Sequence, residues 1–234
     1  CKTDRNALFL RGDMDVSKEN EKLYLDLISK RKKHIPLQHL TGEQEFMGLT
    51  FKVNEYVLIP RQDTECLVEI VLKNLHDGMR ILDMCTGSGC ILISLLHYSN
   101  DCQGVGVDLS AEALDVARLN AVTLGNNGIA ESLDVTFVQS DLFEKVEGKF
   151  DIIVSNPPYI KTKVIETLMP EVKDFEPMMA LDGLEDGLHF YRKIILDAKQ
   201  FLNRGGQLFF EIGYDQGKEV SELMRKAGYV DVEI

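Results

Sequence analysis

From residue 79 to the end of the chain, apolar positions alternate between short continuous runs and stripes spaced three and four apart. The runs at 79–84, 103–107, 134–138, 150–155 and 207–212 have the length and composition of strands. Between them, Ile91, Leu92, Leu95 and Leu96 mark one helix. Ala113 and Ala117, behind a Ser110 cap, mark the inward face of a second. Further helices are predicted at 188–201 and 217–227. A Gly205-Gly206 turn precedes the fifth strand, and a sixth strand is expected to start at 229–234. Strands alternating with helices predict a mostly parallel central sheet covered on both faces, an α/β fold.

Upstream the pattern changes. Residues 1–18 carry no strong period. At 20–33, Leu23 pairs with Leu27 and Tyr24 with Ile28 at i,i+4, which predicts an amphipathic helix. Lys30, Arg31, Lys32 and Lys33 close it, where cations suit a helix carboxyl end, and Pro36 stops it. That basic run reads as a solvated helix end. Residues 46–53 and 56–59 read as a hairpin about Asn54-Glu55, ended by Pro60. Asp63 or Thr64 is expected to cap a helix at 65–75. With Cys1 first and an apolar run last, both ends look cut. The expected organisation is therefore 1–35 as the tail of a truncated helical domain, 36–65 as a hairpin linker, and 66–234 as an α/β domain truncated at its carboxyl end.

Composition narrows the function classes. The chain has 234 residues, 44% of them apolar, enough for one sizeable core with a small attachment. There is no apolar run of about 18 residues and no signal-peptide pattern, so a cytoplasmic protein without a membrane span is expected. Cys1, Cys66, Cys85, Cys90 and Cys102 lack metal-type spacing and read as reduced thiols. His34 and His39 have no partner at metal spacing, and no metal site is expected. A net charge of −12 argues against a surface that tracks nucleic-acid backbone and suits a basic protein partner.

The chemistry concentrates at Asn156-Pro157-Pro158-Tyr159, directly after the run at 150–155. Two prolines cannot continue a strand, and Pro157 holds Asn156 out of the helical region. The expected result is a stiff loop at a strand's carboxyl end. The Asn156 side-chain oxygen and the Pro157 carbonyl are two acceptors suited to both N–H bonds of a planar NH2 group, with Tyr159 placed to cover its face. Earlier, Asp83-x-Cys85-Thr86-Gly87-Ser88-Gly89 forms a turn between strand and helix, and Asp108 ends the next strand. Glycines that admit a ligand, followed by an acid that accepts ribose hydroxyls, are nucleotide-binding logic. Only two glycines are present and an acid leads in, which repels pyrophosphate and suits a sulfonium. The expected cofactor is S-adenosylmethionine. Asp141-Leu142 ends the third strand, so the polar punctuation falls on one sheet edge, where ligands bind in open α/β sheets.

Several blocks resemble one family. Pro36 to Phe46 reads Pro-Leu-Gln-His-Leu-Thr-Gly-Glu-Gln-Glu-Phe, and Leu58 to Glu65 reads Leu-Ile-Pro-Arg-Gln-Asp-Thr-Glu. With Asn156-Pro157-Pro158-Tyr159, Glu176-Pro177, Ala180 to Gly183 and Glu185 to Leu188, these are similar to the release-factor glutamine N5-methyltransferases across nearly the whole chain. The resemblance implies a Rossmann-like class I methyltransferase fold behind a small helical substrate-recognition domain. The implied activity is methyl transfer from S-adenosylmethionine to the glutamine of the Gly-Gly-Gln motif in peptide-chain release factors. It further implies that Asp108, with Leu109 beside it, holds the ribose and that Asp141 and Leu142 approach the adenine. Asp83 and residues 85–89 then line the methionine part, with Asn156 between cofactor and substrate. Asn156, Pro157, Pro158 and Tyr159 hold the glutamine, and Arg61 and Glu65 shape the substrate side. A monomer without direct nucleic-acid binding is expected. Cys85 and Leu184 depart from the family pattern, which often has Gly at each. The alternatives are an N6-adenine nucleic-acid methyltransferase, which would need base flipping and a basic channel, and a non-catalytic cofactor-binding scaffold.

Overall fold

The computed structural model describes residues 5–10, 12–126 and 133–234, so Cys1, one of the expected thiols, lies outside them. Three helices lead in: α1 (Arg5–Leu10), α2 (Lys18–Arg31) and α3 (Leu37–Thr41). A two-stranded hairpin follows, β1 (Glu43–Phe46) and β2 (Leu49–Lys52), then α4 (Gln62–Asn74). The remainder alternates: β3 (Arg80–Met84), α5 (Cys90–His97), β4 (Gln103–Asp108), α6 (Ala111–Asn126), β5 (Val135–Gln139) and β6 (Phe150–Ser155). Short helices α7 (Thr162–Ile165), α8 (Pro170–Lys173) and α9 (Met178–Leu181) precede α10 (His189–Phe201), β7 (Leu202–Phe210) and α11 (Gly217–Lys226).

The five long strands form one parallel sheet in the order β5-β4-β3-β6-β7. The order reverses between β3 and β6, the place where open α/β sheets open a crevice. Each face has its own core. One buries Phe46, Phe51, Val68, Leu92 and Leu95 from the hairpin, α4 and α5. The other buries Phe143, Phe150, Ile194 and Ala198 under α10. Each buried Val, Leu, Ile or Phe side chain among these contributes roughly 1.5–3 kcal/mol. Among the described residues, no helix is long and apolar enough to cross a membrane, and no cluster could hold a metal ion.

The hairpin forms earlier than its sequence suggests. Phe46 pairs with Leu49, so the two turn residues are Met47 (φ 51°) and Gly48 (φ 71°). Positive φ at both central residues is the requirement of a type I′ hairpin turn, and glycine meets it without strain. Asn54 does make a turn, accepting the Tyr56 N–H on its side chain at 3.0 Å, but residues 56–59 form no strand. Nor do Asp63 and Thr64 cap α4. That helix starts at Gln62 with Arg61 as an N-cap whose side chain makes no capping bond, and Thr64 is turned into the interior. Ser110 does cap α6, accepting the Ala113 N–H at 3.0 Å.

Residues 229–234 make no sixth strand. Strand preference expresses pairing and packing more than intrinsic backbone bias, and this segment joins no ladder. Val230 and Ile234 accordingly stay 81% and 84% exposed. Gly205 and Gly206, expected as a turn before the strand, lie inside β7. Phe150 pairs with Leu202 and Ile152 with Gln207, so the intervening residues bulge out of register.

Candidate active site

The register of the sheet assembles the site. Val138, Val107, Met84, Ser155 and Phe210 lie side by side across the five strands. The next residues out of that row are Gln139, Asp108, Cys85, Asn156 and Glu211. Four residues far apart in the sequence, Asp108, Cys85, Asn156 and Glu211, therefore leave the sheet on one edge. The Ser155 hydroxyl donates to the Met84 carbonyl at 2.5 Å and ties the two central strands together at that edge. A cavity of about 500 Å³ opens there.

Cys85, Thr86, Gly87 and Ser88 line the cavity on one side, with Asp108, Leu109, Asp141 and Leu142 beside them. Asn156, Pro158 and Arg61 line it as well. Asp83 and Gly89 do not; Asp83 lies fully buried beneath the turn, where its Oδ2 accepts the Thr86 hydroxyl at 2.7 Å. Burial pushes its carboxyl up to about 7, opposed by hydrogen bonds from Thr86 and the Leu92 backbone. Its role is to shape the turn from behind. Pro157 and Tyr159 are also outside the lining, and Tyr159 packs toward Leu188 and Tyr191. Glu65 is not part of the cavity either. Its carboxylate accepts the Met47 N–H at 2.7 Å and holds the hairpin turn, because the Met47 N–H has no ladder partner of its own.

Asp108 ends β4 with both oxygens engaged: Oδ2 accepts the Gly87 N–H at 2.9 Å and Oδ1 the Ser110 N–H at 3.0 Å. Burial raises its pKa and these backbone bonds oppose the rise. Each oxygen keeps a second lone pair for a ligand hydroxyl. The Cys85 thiol is pushed up by burial and by the charges of Asp108 and Asp83, and burial pushes Cys90 up to about 12. Both remain thiols at neutral pH and are not nucleophiles. Asn120, buried on α6, donates to the Ser88 carbonyl at 2.9 Å and to the Lys52 carbonyl at 3.0 Å, joining turn and hairpin.

Residues 177–184 close the far wall with Pro177, Met178, Met179, Ala180, Asp182 and Leu184, a contribution that no local sequence pattern signals. Glu176 anchors that wall. It is 6% exposed, and its Oε1 pairs with Arg61 Nη2 at 2.5 Å. Thr64 lines the cavity, and its Oγ1 accepts Asn156 Nδ2 at 3.5 Å. Cys85, Leu142 and Leu184 all line the cavity with φ of 63°, 48° and 66°, a left-handed backbone that costs a residue with a Cβ about 1–2 kcal/mol. Strain of this kind gathers at functional sites.

The loop holding Asn156 and Tyr159 is clamped from below. Gln216 Nε2 donates to the Tyr159 carbonyl at 3.0 Å and to the Gly187 carbonyl at 3.2 Å. Gly187 has φ 76°, and a Cβ there would press on the Tyr159 carbonyl and come within 2.7 Å of Gln216 Nε2. Gly187→Ala is expected to destabilise the protein by about 2 kcal/mol or more, since a left-handed backbone and a clash combine. It should also slow catalysis through loop displacement. Chemical denaturation and single-turnover rates check both; a variant of wild-type stability and rate would mean that the loop is not held here.

The donor set fits S-adenosylmethionine. Among the described lining residues Arg61 is the one cation and is paired with Glu176, whereas Asp108, Asp141 and Asp182 supply acids. A cavity so charged disfavours pyrophosphate and accepts a cationic ligand with a ribose.

Comparison with known proteins agrees. The pattern described as "Methyltransferase small domain" matches residues 62–172, and that described as "PrmC N-terminal domain" matches residues 1–42. The release factor glutamine methyltransferase of Clostridium acetobutylicum is 42% identical over 237 residues, covering 99% of this chain and 81% of that protein. The protein of that name from Geobacter sulfurreducens is 41% identical, covering 97% and 78%. Among solved structures, a methyltransferase from Pyrococcus furiosus shares the fold with a TM-score of 0.56 at 18% identity, covering 93% of this chain and 91% of that one.

Proposed function

The chain belongs to the release factor glutamine methyltransferases, and from that membership we propose the part each residue plays in methylating a release-factor glutamine. The reaction moves a methyl group from S-adenosylmethionine to the side-chain amide nitrogen (N5) of the glutamine in the Gly-Gly-Gln motif of a peptide-chain release factor, modulating translation termination. The observation that carries the reading is the sheet register. It places Asp108 and Asn156 on the same row, one strand either side of the Cys85 turn, at one cavity.

S-adenosylmethionine supplies, when bound, an electrophilic methyl group on a sulfonium. Asp108 and Leu109 hold the ribose end, Asp141 and Leu142 the adenine end, and residues 85–88 the methionine end, with Asp83 and Gly89 shaping the turn. The substrate is a carboxamide whose nitrogen lone pair is delocalised into its carbonyl, and no side chain readily deprotonates it at neutral pH. Positioning therefore carries most of the rate. Asn156 Oδ1 accepts an N–H bond of that amide and draws density onto the nitrogen, and Pro157, Pro158 and Tyr159, of which only Pro158 lines the cavity, stiffen the loop. Arg61, through Glu176, keeps the far wall over the substrate and excludes water.

Residues 1–35 serve release-factor recognition, 36–65 link, and 66–234 bind the cofactor. The acidic chain meets a basic protein partner as a monomer in the cytoplasm, without direct nucleic-acid contact. The test is transfer of radiolabelled methyl to purified release factor, to a release factor with the motif Gln→Ala, and to duplex DNA. Label is expected on the first alone. Label on DNA and none on release factor would overturn the reading in favour of an adenine methyltransferase.

A further inference from the structure

The row of residues leaving the sheet edge ends on a carboxylate with no role so far. Glu211 follows β7 directly, its N–H donating to the Ser155 carbonyl at 3.0 Å, which places it beside Asn156. Its Oε1 accepts the Tyr159 hydroxyl at 3.3 Å, and its backbone carbonyl accepts the Tyr191 hydroxyl at 2.8 Å. The Thr64 and Asn156 side chains face the same carboxylate and favour its charged form, and Oε2 is buried without a bond of its own. An ionised carboxylate only accepts, so the side of the Asn156 amide turned toward it is the NH2. The contact from Asn156 Nδ2 to Thr64 agrees with that orientation. Oδ1 is then the amide atom left to serve the cavity that Asn156 lines.

We propose that Glu211 is the positioning residue for Asn156, holding its NH2 inward so that Oδ1 is the atom presented to the substrate amide. The inference rests on the reading of Asn156 as substrate acceptor. An asparagine amide is nearly symmetric in shape, and without a directing partner it presents N–H as readily as oxygen. A presented N–H would repel the substrate NH2. The negative charge behind the amide also polarises it, adding density to Oδ1, and chains of hydrogen bonds strengthen one another in this way.

Glu211→Gln keeps the shape but can donate to Asn156 Oδ1 and so permits the flipped amide. It is expected to lower kcat about 10–100-fold, the usual effect of an outer partner, with the KM for S-adenosylmethionine changed less than about twofold. In an Asn156→Ala background, Glu211→Gln should lower kcat by less than about twofold more, because it acts through Asn156. Burial raises the pKa of Glu211, with the charge of Asp63 on α4 adding and Thr64, Tyr159 and Asn156 opposing; Tyr191 contacts only its backbone. The wild-type kcat should therefore fall on the acid side as Glu211 takes up a proton, and this limb should vanish in the Gln variant. If the Gln variant does not accumulate as folded protein, Glu211→Asp goes through the same cycle. Wild-type kcat in Glu211→Gln beside a slow Asn156→Ala overturns the proposal and leaves the Asn156 reading standing. Losses that multiply in the double variant overturn it in favour of a general structural role. A near-normal Asn156→Ala overturns both.

Discussion

Asn156→Ala is expected to cut the single-turnover rate of methyl transfer to release factor by about 10²–10³, the cost of losing one preorganised polar contact in an enclosed site. Affinity for S-adenosylmethionine should change much less, because Asp108, which ends β4, lies two strands from Asn156 across β3. Stability should change little as well, since the contact of its side chain with Thr64, at 3.5 Å, is long. Asn156→Asp is the sharper probe. It keeps an acceptor and the shape, but sets a carboxylate against Glu211. Two carboxylates facing one another share a proton, so one of the pair must be protonated for the other to serve as acceptor. The Asp variant should therefore work at a rate between wild type and Ala, and improve as pH falls. Near-normal turnover in the Ala variant would return the loop to a simple proline turn.

Much of this arrangement was legible in the sequence. The β6 span at 150–155 is legible to the residue, because its apolar run is bounded by a charged stretch and two prolines. Asp108 and Asn156 stand out because each follows a strand-like run directly, whereas Asp141, expected to end the third strand, lies two residues beyond the Gln139 at which β5 stops. What escaped were residues whose meaning depends on a neighbour distant in the chain. Glu211 lay inside an apparently continuous run at 207–212 and becomes a site residue only because Phe210 pairs with Ser155. Thr64 looked like a helix cap, yet α4 starts earlier and turns it toward Asn156. Glu65, in a block shared with the family, suggests the substrate side, while its bond to the Met47 N–H belongs to a hairpin turn at Met47-Gly48 that the turn-forming Asn54-Glu55 pair conceals. The segment 229–234 failed for the complementary reason: strand-like residues form a strand only where a ladder receives them.

Asp108→Ala is expected to split the two functions the other way, weakening S-adenosylmethionine binding by about 1.5–3 kcal/mol, the range for a lost charged hydrogen bond. That is roughly 10–150-fold in the dissociation constant. The carboxylate does two things at once. It offers lone pairs to the cavity, and it accepts the Gly87 and Ser110 N–H groups, fixing the turn that lines the cavity and the start of α6. The Ala variant loses both, which places it at the upper end of the range. Asp108→Asn separates them: the side-chain oxygen can still accept one backbone N–H, while the charge and one acceptor are gone, so its loss should be smaller. Calorimetric titration of cofactor into each variant measures the binding term. Single-turnover rates at saturating cofactor should stay close to wild type, since Asn156 and the loop it begins are untouched. Unchanged affinity in the Ala variant would remove Asp108 from the cofactor site and leave it as a strut for the turn at Gly87.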